Sequence, residues 1–155
     1  LNINEENNNG ENPIYWAVHN DNIDIVNLLI RKAKHNHIVL NIDKRNNEGL
    51  HPLFLAVRNN NKDITMLLIN YAKNNNINLN INDKDQDGNY PLLWSTIKNN
   101  KEILTLLMEY AEEKNILLKI NENNNNEETP LYWGLYNNNN EIIELLLEYA
   151  KKKNI

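Results

Sequence analysis

The four prolines of this chain are separated by one constant interval. The prolines are Pro13, Pro52, Pro91 and Pro130. The differences 52−13, 91−52 and 130−91 are each 39 residues. Alanine keeps the same interval at Ala33, Ala72, Ala111 and Ala150. A self-similar period of roughly 20 to 50 residues is typical of solenoids and other repeat arrays. Because each unit of such an array buries its apolar side on its neighbours, we expect four copies of one structural unit.

Each unit predicts two helices. Proline is tolerated in a first helical turn, and Asn12 or Thr129 just before it can cap that turn. The point where this first helix must end always carries Asp or Asn, which tolerate the left-handed conformation: Asp21, Asn60, Asn99 and Asn138. The next residue predicts the N-cap of a second, longer helix: Asn22, Asn61, Asn100 and Asn139. Beyond that helix, "ILLKIN" and "INLNIN" alternate apolar with polar residues, which predicts a short extended segment.

Composition and charge exclude several classes of partner. Acidic and basic residues are interleaved and the net charge is −5, so the chain has no electrostatic footprint for nucleic acid. No run approaches the roughly 18 apolar residues that membrane insertion needs. Asparagine accounts for 37 of the 155 residues, and the interpretation we favour is a base-skewed genome, since its codons are A/T-rich. The absence of cysteine excludes disulfides and leaves the compartment open.

The repeat unit resembles the ankyrin repeat. The resemblance rests on Thr129-Pro130-Leu131 at a unit's start, on "EIIELLLEYA" in its second helix and on "DQDG" at 85 to 88. It implies an all-α, ankyrin-like helical solenoid of four helix-turn-helix repeats joined by extended turns. It also implies a single repeat domain over residues 1–155, which we expect to be a slice of a longer array.

Three departures from the ankyrin pattern stand out. Six residues are inserted after the alanine of the second helix, which predicts a longer helix or a longer connection. The glycine that ankyrin repeats usually carry between the two helices is replaced here by Asp or Asn. The usual histidine after Thr-Pro-Leu is replaced in every repeat, by Tyr15, Phe54, Leu93 and Tyr132.

Motifs for metal binding and catalysis are weak. "DKDQDG" begins like a calcium loop, but its twelfth position, counted from Asp83, is Trp94 instead of a glutamate. The histidines are confined to the first third of the chain, and Ser95 has no histidine in its own or the next repeat. We therefore expect a non-enzyme without cofactor or metal. The tryptophan column, Trp16, Trp94 and Trp133 with Leu55, is interpreted as a core layer.

The function we expect is a protein-protein interaction scaffold. A solenoid of this kind binds partners with its turn tips and with exposed positions of its first helices. The residues two positions before and six positions after each proline differ between repeats, as expected of a surface that recognises a specific partner. Leu50, Ile97 and Tyr136 are the residues that we expect to anchor this partner. The candidate binding residues are Asn8, Glu11, His19, Asn47, Leu50, Arg58, Gln86, Asn89, Ile97, Asn125, Glu128 and Tyr136.

The alternative is a structural subunit of a filament or fibre. Terminal repeats normally have polar outer sides, whereas here the terminal repeats carry apolar residues in core columns. Copies of the chain would then stack end to end, and the residues expected at that contact are Ile3, Ile14, Ile142 and Leu146. The partners we expect are thus other proteins or further copies of this chain.

One position breaks the repeat pattern. Gly10, Gly49 and Gly88 form a column in the turns, and Glu127 occupies it in the fourth repeat. If the column requires positive φ, the turn "NNNNEE" is either strained or differently shaped.

Overall fold

A computed structural model describes residues 2–155, and Leu1 lies outside the described residues. These residues form eight α-helices and no strand. The helices are α1 (Pro13–His19), α2 (Ile23–His35), α3 (Pro52–Arg58), α4 (Lys62–Asn74), α5 (Pro91–Ile97), α6 (Lys101–Glu113), α7 (Pro130–Tyr136) and α8 (Asn140–Lys153). The expected all-α, ankyrin-like architecture of helix-turn-helix repeats is confirmed.

The first helix of every repeat begins at the repeat's proline and spans seven residues. The side chains of Asn12, His51 and Thr129 each accept a hydrogen bond from the backbone N–H three residues later. Tyr90, at the same position before α5, makes no such bond. Three of the four helix starts are therefore fixed by a local cap together with the proline's preset φ.

The second helix begins one residue after an asparagine cap in every repeat. Each cap oxygen accepts from the N–H three residues on, and φ of the preceding residue is positive, between 49° and 61°, at Asp21, Asn60, Asn99 and Asn138. Both predictions are confirmed. A second positive-φ column, unforeseen from the sequence, lies after these helices at His37, Asn76, Asn115 and Asn154. It follows the 13 residues of α2, α4 and α6, so the inserted residues both lengthen the helix and form its left-handed end.

The segments after the second helices alternate in burial but form no strand. Leu118 and Ile120 are buried, whereas Leu117 between helix and turn is exposed. The N–H of Ile120 donates to the carbonyl of Leu118 at 3.0 Å, a tight local bond instead of a ladder. The alternation of apolar and polar residues on which the extended segment was predicted corresponds to alternating burial, without sheet pairing.

Each turn between repeats is closed by a carboxamide or carboxylate. Asn124 Oδ1 accepts from the N–H groups of Asn126 and Glu128, both at 3.0 Å. The equivalent oxygens of Asn7, Asn46 and Asp85 make the same pair of bonds. The asparagine run is therefore ordered, because its second member, Asn124, supplies an acceptor for backbone N–H groups of the turn. A base-skewed genome alone does not explain where the asparagines stand.

The chain divides into two compact units, one up to Asn80 and one from Ile81 to Ile155. In the first unit α1 packs on α2 and α3, and α4 packs on α2 and α3. In the second unit α5 packs on α6 and α7, and α8 packs on α6 and α7. Each unit is thus a stack of two helix-turn-helix repeats. The expectation of one repeat domain over residues 1–155 stays a prediction.

Candidate protein-binding surfaces

The turn tips lie where the sequence places them, at the exposed ends of the turns. Asn8, Asn47, Gln86 and Asn125 are all exposed to solvent. Their carboxamides also serve the fold, since Asn47 Nδ2 donates to the carbonyl of Asn8 at 3.1 Å and Asn125 Nδ2 to that of Gln86 at 2.9 Å. The tips are accessible to a partner but are held in place by bonds between neighbouring repeats.

The column two residues before each proline is less accessible than expected. Leu50 exposes only 6% of its surface and Asn89 is also buried, whereas Glu11 and Glu128 are half-buried. These residues close the turn, and the Asn89 side-chain oxygen accepts from Asn124 Nδ2 of the next repeat at 2.8 Å. The expectation of Leu50 as an exposed anchor is therefore wrong, because its side chain packs inside the first unit.

The column six residues after each proline is open to solvent in both units. His19 and Tyr136 are exposed, while Arg58 and Ile97 are half-buried. The side chain at this repeated position therefore changes in size, charge and polarity from one repeat to the next. This column, His19, Arg58, Ile97 and Tyr136, is called the variable column below.

Aromatic clusters support both ends of the variable column. Tyr136 stacks on Tyr132 with ring centroids 6.2 Å apart and meets Trp133 edge-on at 5.2 Å. His19 lies 4.9 Å from the ring of Trp16. The sequence analysis missed these clusters, although the i, i+3 and i+4 spacing of the aromatic residues places them on one side of a helix. They hold the exposed side chains in fixed positions.

The tryptophan column is only partly a core layer. Leu55 is fully buried, and Trp94 and Trp133 are half-buried, but Trp16 exposes 43% of its surface. In the second unit Trp94 Nε1 donates to Asp85 Oδ2 at 3.3 Å, which anchors the indole to the turn. The core interpretation holds for the leucine and fails for the first tryptophan, because no described repeat covers that side of α1.

Three of the four residues expected at an end-to-end contact are buried within their own units. Ile14, Ile142 and Leu146 are buried inside their own units, and Ile3 is half-buried. Ile14 belongs to α1, which packs on α3, and the other two belong to α8, which packs on α6 and α7. The assignment is wrong for these three residues, because each repeat has two apolar sides and they use the side that the neighbouring repeat covers; for Ile3 it stays a prediction.

Other apolar side chains are exposed at the two ends. On the first repeat they are Trp16, Ile25 and Leu28, called the leading face. On the last repeat they are Leu131, Tyr132, Leu135 and Leu147, called the trailing face. Ile142 shares the column of Ile25 and is fully buried, so the presence or absence of a neighbouring repeat accounts for the difference.

Potential metal ligands are not clustered in the part of the chain that the structure describes. Within residues 2–155, no three His, Cys, Asp or Glu side chains lie close enough to hold a metal ion. A groove of about 280 Å³ lies between α6 and α8. Its lining includes the apolar side chains of Met108 and Leu145 and the carboxylates of Glu109 and Glu148, and it contains no His, Cys or Ser. No helix among these residues is both long and apolar enough to cross a membrane.

Stacked helix-turn-helix repeats that carry varied side chains on a regular backbone define a repeat protein of the interaction-module class. The family described as ankyrin repeats (3 copies) matches residues 1–83 and 75–155. These two matches together cover the whole chain, which belongs to the ankyrin-repeat family. No curated protein sequence matches it. Ankyrin repeats are in general non-catalytic and mediate contacts between proteins.

Proposed function

We propose that this chain is a non-catalytic scaffold that binds another protein through the variable column and the turn tips. The observation that carries the proposal is Tyr136, which exposes 69% of its surface while Tyr132 and Trp133 hold its ring in place. A rigid, exposed aromatic side chain is the kind of residue that dominates binding energy at protein interfaces. Neither nucleic acid nor membrane insertion belongs to this proposal.

The proposed surface also includes Arg58 and Ile97 of the variable column and the two glutamates that precede α1 and α7. Arg58 in the first unit and Ile97 in the second are half-buried, so their exposed atoms can contact a partner without reorganisation of the backbone. Glu11 and Glu128 add carboxylates next to the turn tips. The surface therefore combines aromatic, aliphatic and charged groups, which favours a mixed polar and apolar protein surface as partner.

A photo-crosslinking amino acid at position 136 tests the scaffold proposal. The matched control carries it at Met66, an exposed apolar position of α4 outside the variable column. After identification of the crosslinked protein, binding is measured with purified components. We expect Tyr136→Ala to weaken binding by roughly 2 kcal/mol or more, about 30-fold, and Met66→Ala to leave it unchanged. Equal crosslinking at both positions, or equal affinities of the two variants, contradicts the proposal.

A second candidate function is a structural subunit that assembles end to end into a filament or fibre. The exposed apolar side chains of the leading and trailing faces favour it, since exposed apolar patches are typical of contact surfaces between proteins. Negative-stain microscopy of the purified chain distinguishes fibres from discrete particles. A chain that sediments as a monomer at high concentration excludes this second function and leaves the scaffold untouched.

A further inference from the structure

The groove between α6 and α8 is formed by two repeats that both belong to the second unit. Met108 of α6 and Leu145 of α8 are half-buried in its lining, and the buried Tyr149 also lines it. Glu109 and Glu148 are exposed residues of the same lining, one from each helix. The groove therefore offers an apolar strip with one carboxylate from each of its two helices.

The first unit has a corresponding groove between α2 and α4, with a volume of about 430 Å³. Two of its lining residues, Ile30 and Tyr71, stand two periods before Met108 and Tyr149. This groove is present even though two further repeats follow it in the sequence. A groove at this place therefore results from the packing of two second helices within a unit and does not depend on which repeat is last.

The two grooves differ in charge. Arg31 and Asn70 of the first unit stand in the columns that Glu109 and Glu148 occupy in the second. Over their full lengths, α2 and α4 contain five Lys or Arg and two Asp, whereas α6 and α8 contain four Lys and seven Glu. Because the helix pairing and part of the apolar lining are shared, charge is what distinguishes the second groove from the first.

Glu109 and Glu148 keep their negative charge uncompensated among the described residues. Lys152 stands four residues after Glu148 on α8, a spacing at which glutamate and lysine side chains can pair. Its Nζ lies instead 3.1 Å from Glu112 Oε1, which Lys153 Nζ also approaches to 3.3 Å. Within residues 2–155 neither Glu109 nor Glu148 forms an ion pair, so both carboxylates can interact with cations of a partner.

We propose that the groove between α6 and α8 binds a basic segment of a partner protein. One large apolar side chain of that segment lies between Met108 and Leu145, and a Lys or Arg on either side of it pairs with the two carboxylates of the groove. Charge complementarity selects this occupant, because carboxylates attract a cationic segment and repel the phosphates of nucleic acid and of anionic lipid. The variable column belongs to the first helices, so this groove is a second and separate binding surface.

The proposed binding is salt-dependent. Exposed ion pairs contribute little each and are screened by salt. We expect the affinity to fall about fivefold between about 0.05 and about 0.5 M salt. An affinity that does not change with salt would overturn charge complementarity as the basis of the site.

Methyl-labelled methionine tests where a basic peptide binds, because the chain contains two methionines, Met66 in α4 and Met108 in the groove. The probe is a synthetic peptide with one leucine between two pairs of lysines. In nuclear magnetic resonance titrations we expect the methyl signal of Met108 to shift and that of Met66 to stay in place. The same peptide with glutamates instead of lysines should shift neither signal. A Met108 signal that does not move at millimolar lysine peptide overturns the inference.

Two arginine variants of α8 separate the groove from the general charge of the chain. Glu148→Arg reverses a carboxylate of the groove, while Glu144→Arg makes the same change at an exposed position of α8 outside its lining. By fluorescence anisotropy, we expect Glu148→Arg to weaken binding of the lysine peptide about 10-fold and Glu144→Arg less than about twofold. Equal affinities of the two variants contradict the proposal.

The first unit permits the reverse experiment. Arg31→Glu combined with Asn70→Glu copies the two carboxylates into the groove between α2 and α4. We expect this double variant to bind two lysine peptides per chain, where the unmodified chain binds one, as measured by isothermal titration calorimetry. An unchanged stoichiometry would overturn the role of these two columns in selecting the partner.

A second copy of the chain is the other occupant that these measurements detect. If the Met108 signal moves with the concentration of the chain itself, without peptide, another copy covers the groove and the inference is overturned. We expect this signal to stay constant until the lysine peptide is added.

Discussion

Helices α1 and α7 correspond residue for residue, three periods apart, yet they bury opposite sides. Val18 is fully buried in α1, whereas Leu135 in the same column of α7 exposes 60% of its surface. Tyr15 and Tyr132 differ in the same way, at 4% and 47%. In its own unit α1 packs on α3 and α7 packs on α5. A repeat therefore has two apolar sides, and its sequence pattern does not tell which of them a neighbour covers.

The largest expected difference in the free energy of unfolding is between alanine variants of Tyr15 and Tyr132. Tyr15 is enclosed in the first unit, where its hydroxyl accepts from Asn46 Nδ2 at 3.0 Å, and burial, together with Glu11 and Glu48, raises the pKa of its phenol. Tyr15→Ala should lower the free energy of unfolding by about 4 kcal/mol, because it leaves a cavity and an unpaired amide. Tyr132→Ala should lower it by less than about 1 kcal/mol. Urea denaturation of both variants measures the difference, and similar losses would break the comparison.

Acid should affect α3, whose cap differs from those of α1 and α7. Burial first and Arg45 second lower the pKa of His51 from 6.5 to about 4. The unfolded chain binds a proton near pH 6.5 and the folded chain does not, so stability is complete above pH 6.5 and falls as the pH drops towards 4. The expected loss is about 3 kcal/mol, at roughly 1.4 kcal/mol per unit of pKa difference. Thermal or urea unfolding between pH 7 and pH 4 measures it.

The matched control for His51 is the cap of α1. His51→Asn introduces the residue that caps α1 as Asn12, so it keeps a side-chain acceptor for the N–H of Phe54 and removes the titration. Carboxylates contribute to the acid dependence of both proteins alike, and the difference between the two curves isolates His51. Parallel curves for the two proteins would show that folding does not lower the pKa of His51.

Local signals predicted the elements of this fold because they act within a few residues. Proline at a helix start, asparagine at an N-cap and Asp21 or Asn60 at a left-handed position each fix backbone geometry without reference to the rest of the chain. The helix ends at His37 and Asn76 were missed, since they lie inside the insertion that departs from the ankyrin pattern.

The surfaces were harder to predict because exposure depends on neighbours. Leu50 looks like a variable surface residue, but the turn that Asn46 closes directs it inward. Ile14 and Ile142 look like end residues, but they use the covered side of their repeats. Comparison of the four repeats identifies which positions are apolar. Which of these positions a neighbouring repeat buries follows only from the packing of α1 on α3 and of α8 on α6 and α7.

A smaller difference in the free energy of unfolding is expected between alanine variants of Asn59 and Asn20, which share one column of the repeat. Asn59 Nδ2 donates to the carbonyl of Val18, while Asn20 is exposed and donates to no described protein atom from its Nδ2. Asn59→Ala should lower the free energy of unfolding by about 1 kcal/mol, the net value of one hydrogen bond, and Asn20→Ala by less than about 0.5 kcal/mol. Both are measured by urea denaturation at a concentration where the chain is monomeric. Equal losses would mean that the bond between repeats contributes nothing measurable.

The smallest expected effect concerns the turns that precede α1 and α7. Gly10 has φ +76° and Glu127 has φ +62°, so the two turns have the same shape and the last one places a non-glycine residue in the left-handed region. That conformation costs a non-glycine residue about 1 to 2 kcal/mol, part of which glycine loses again through the greater freedom of the unfolded chain. Glu127→Gly should therefore raise the free energy of unfolding by about 0.5 to 1 kcal/mol.

Two glycine variants complete this last test. Gly49→Ala should lose about 1 kcal/mol from backbone conformation alone, because a Cβ there would meet no atom within 4 Å. Gly88→Ala should lose more, since its Cβ would lie 3.0 Å from the backbone nitrogen of Asn125. If Glu127→Gly instead leaves stability unchanged or lowers it, the carboxylate must contribute an interaction that offsets its backbone strain, and the last turn would then differ from the first in energy though not in shape.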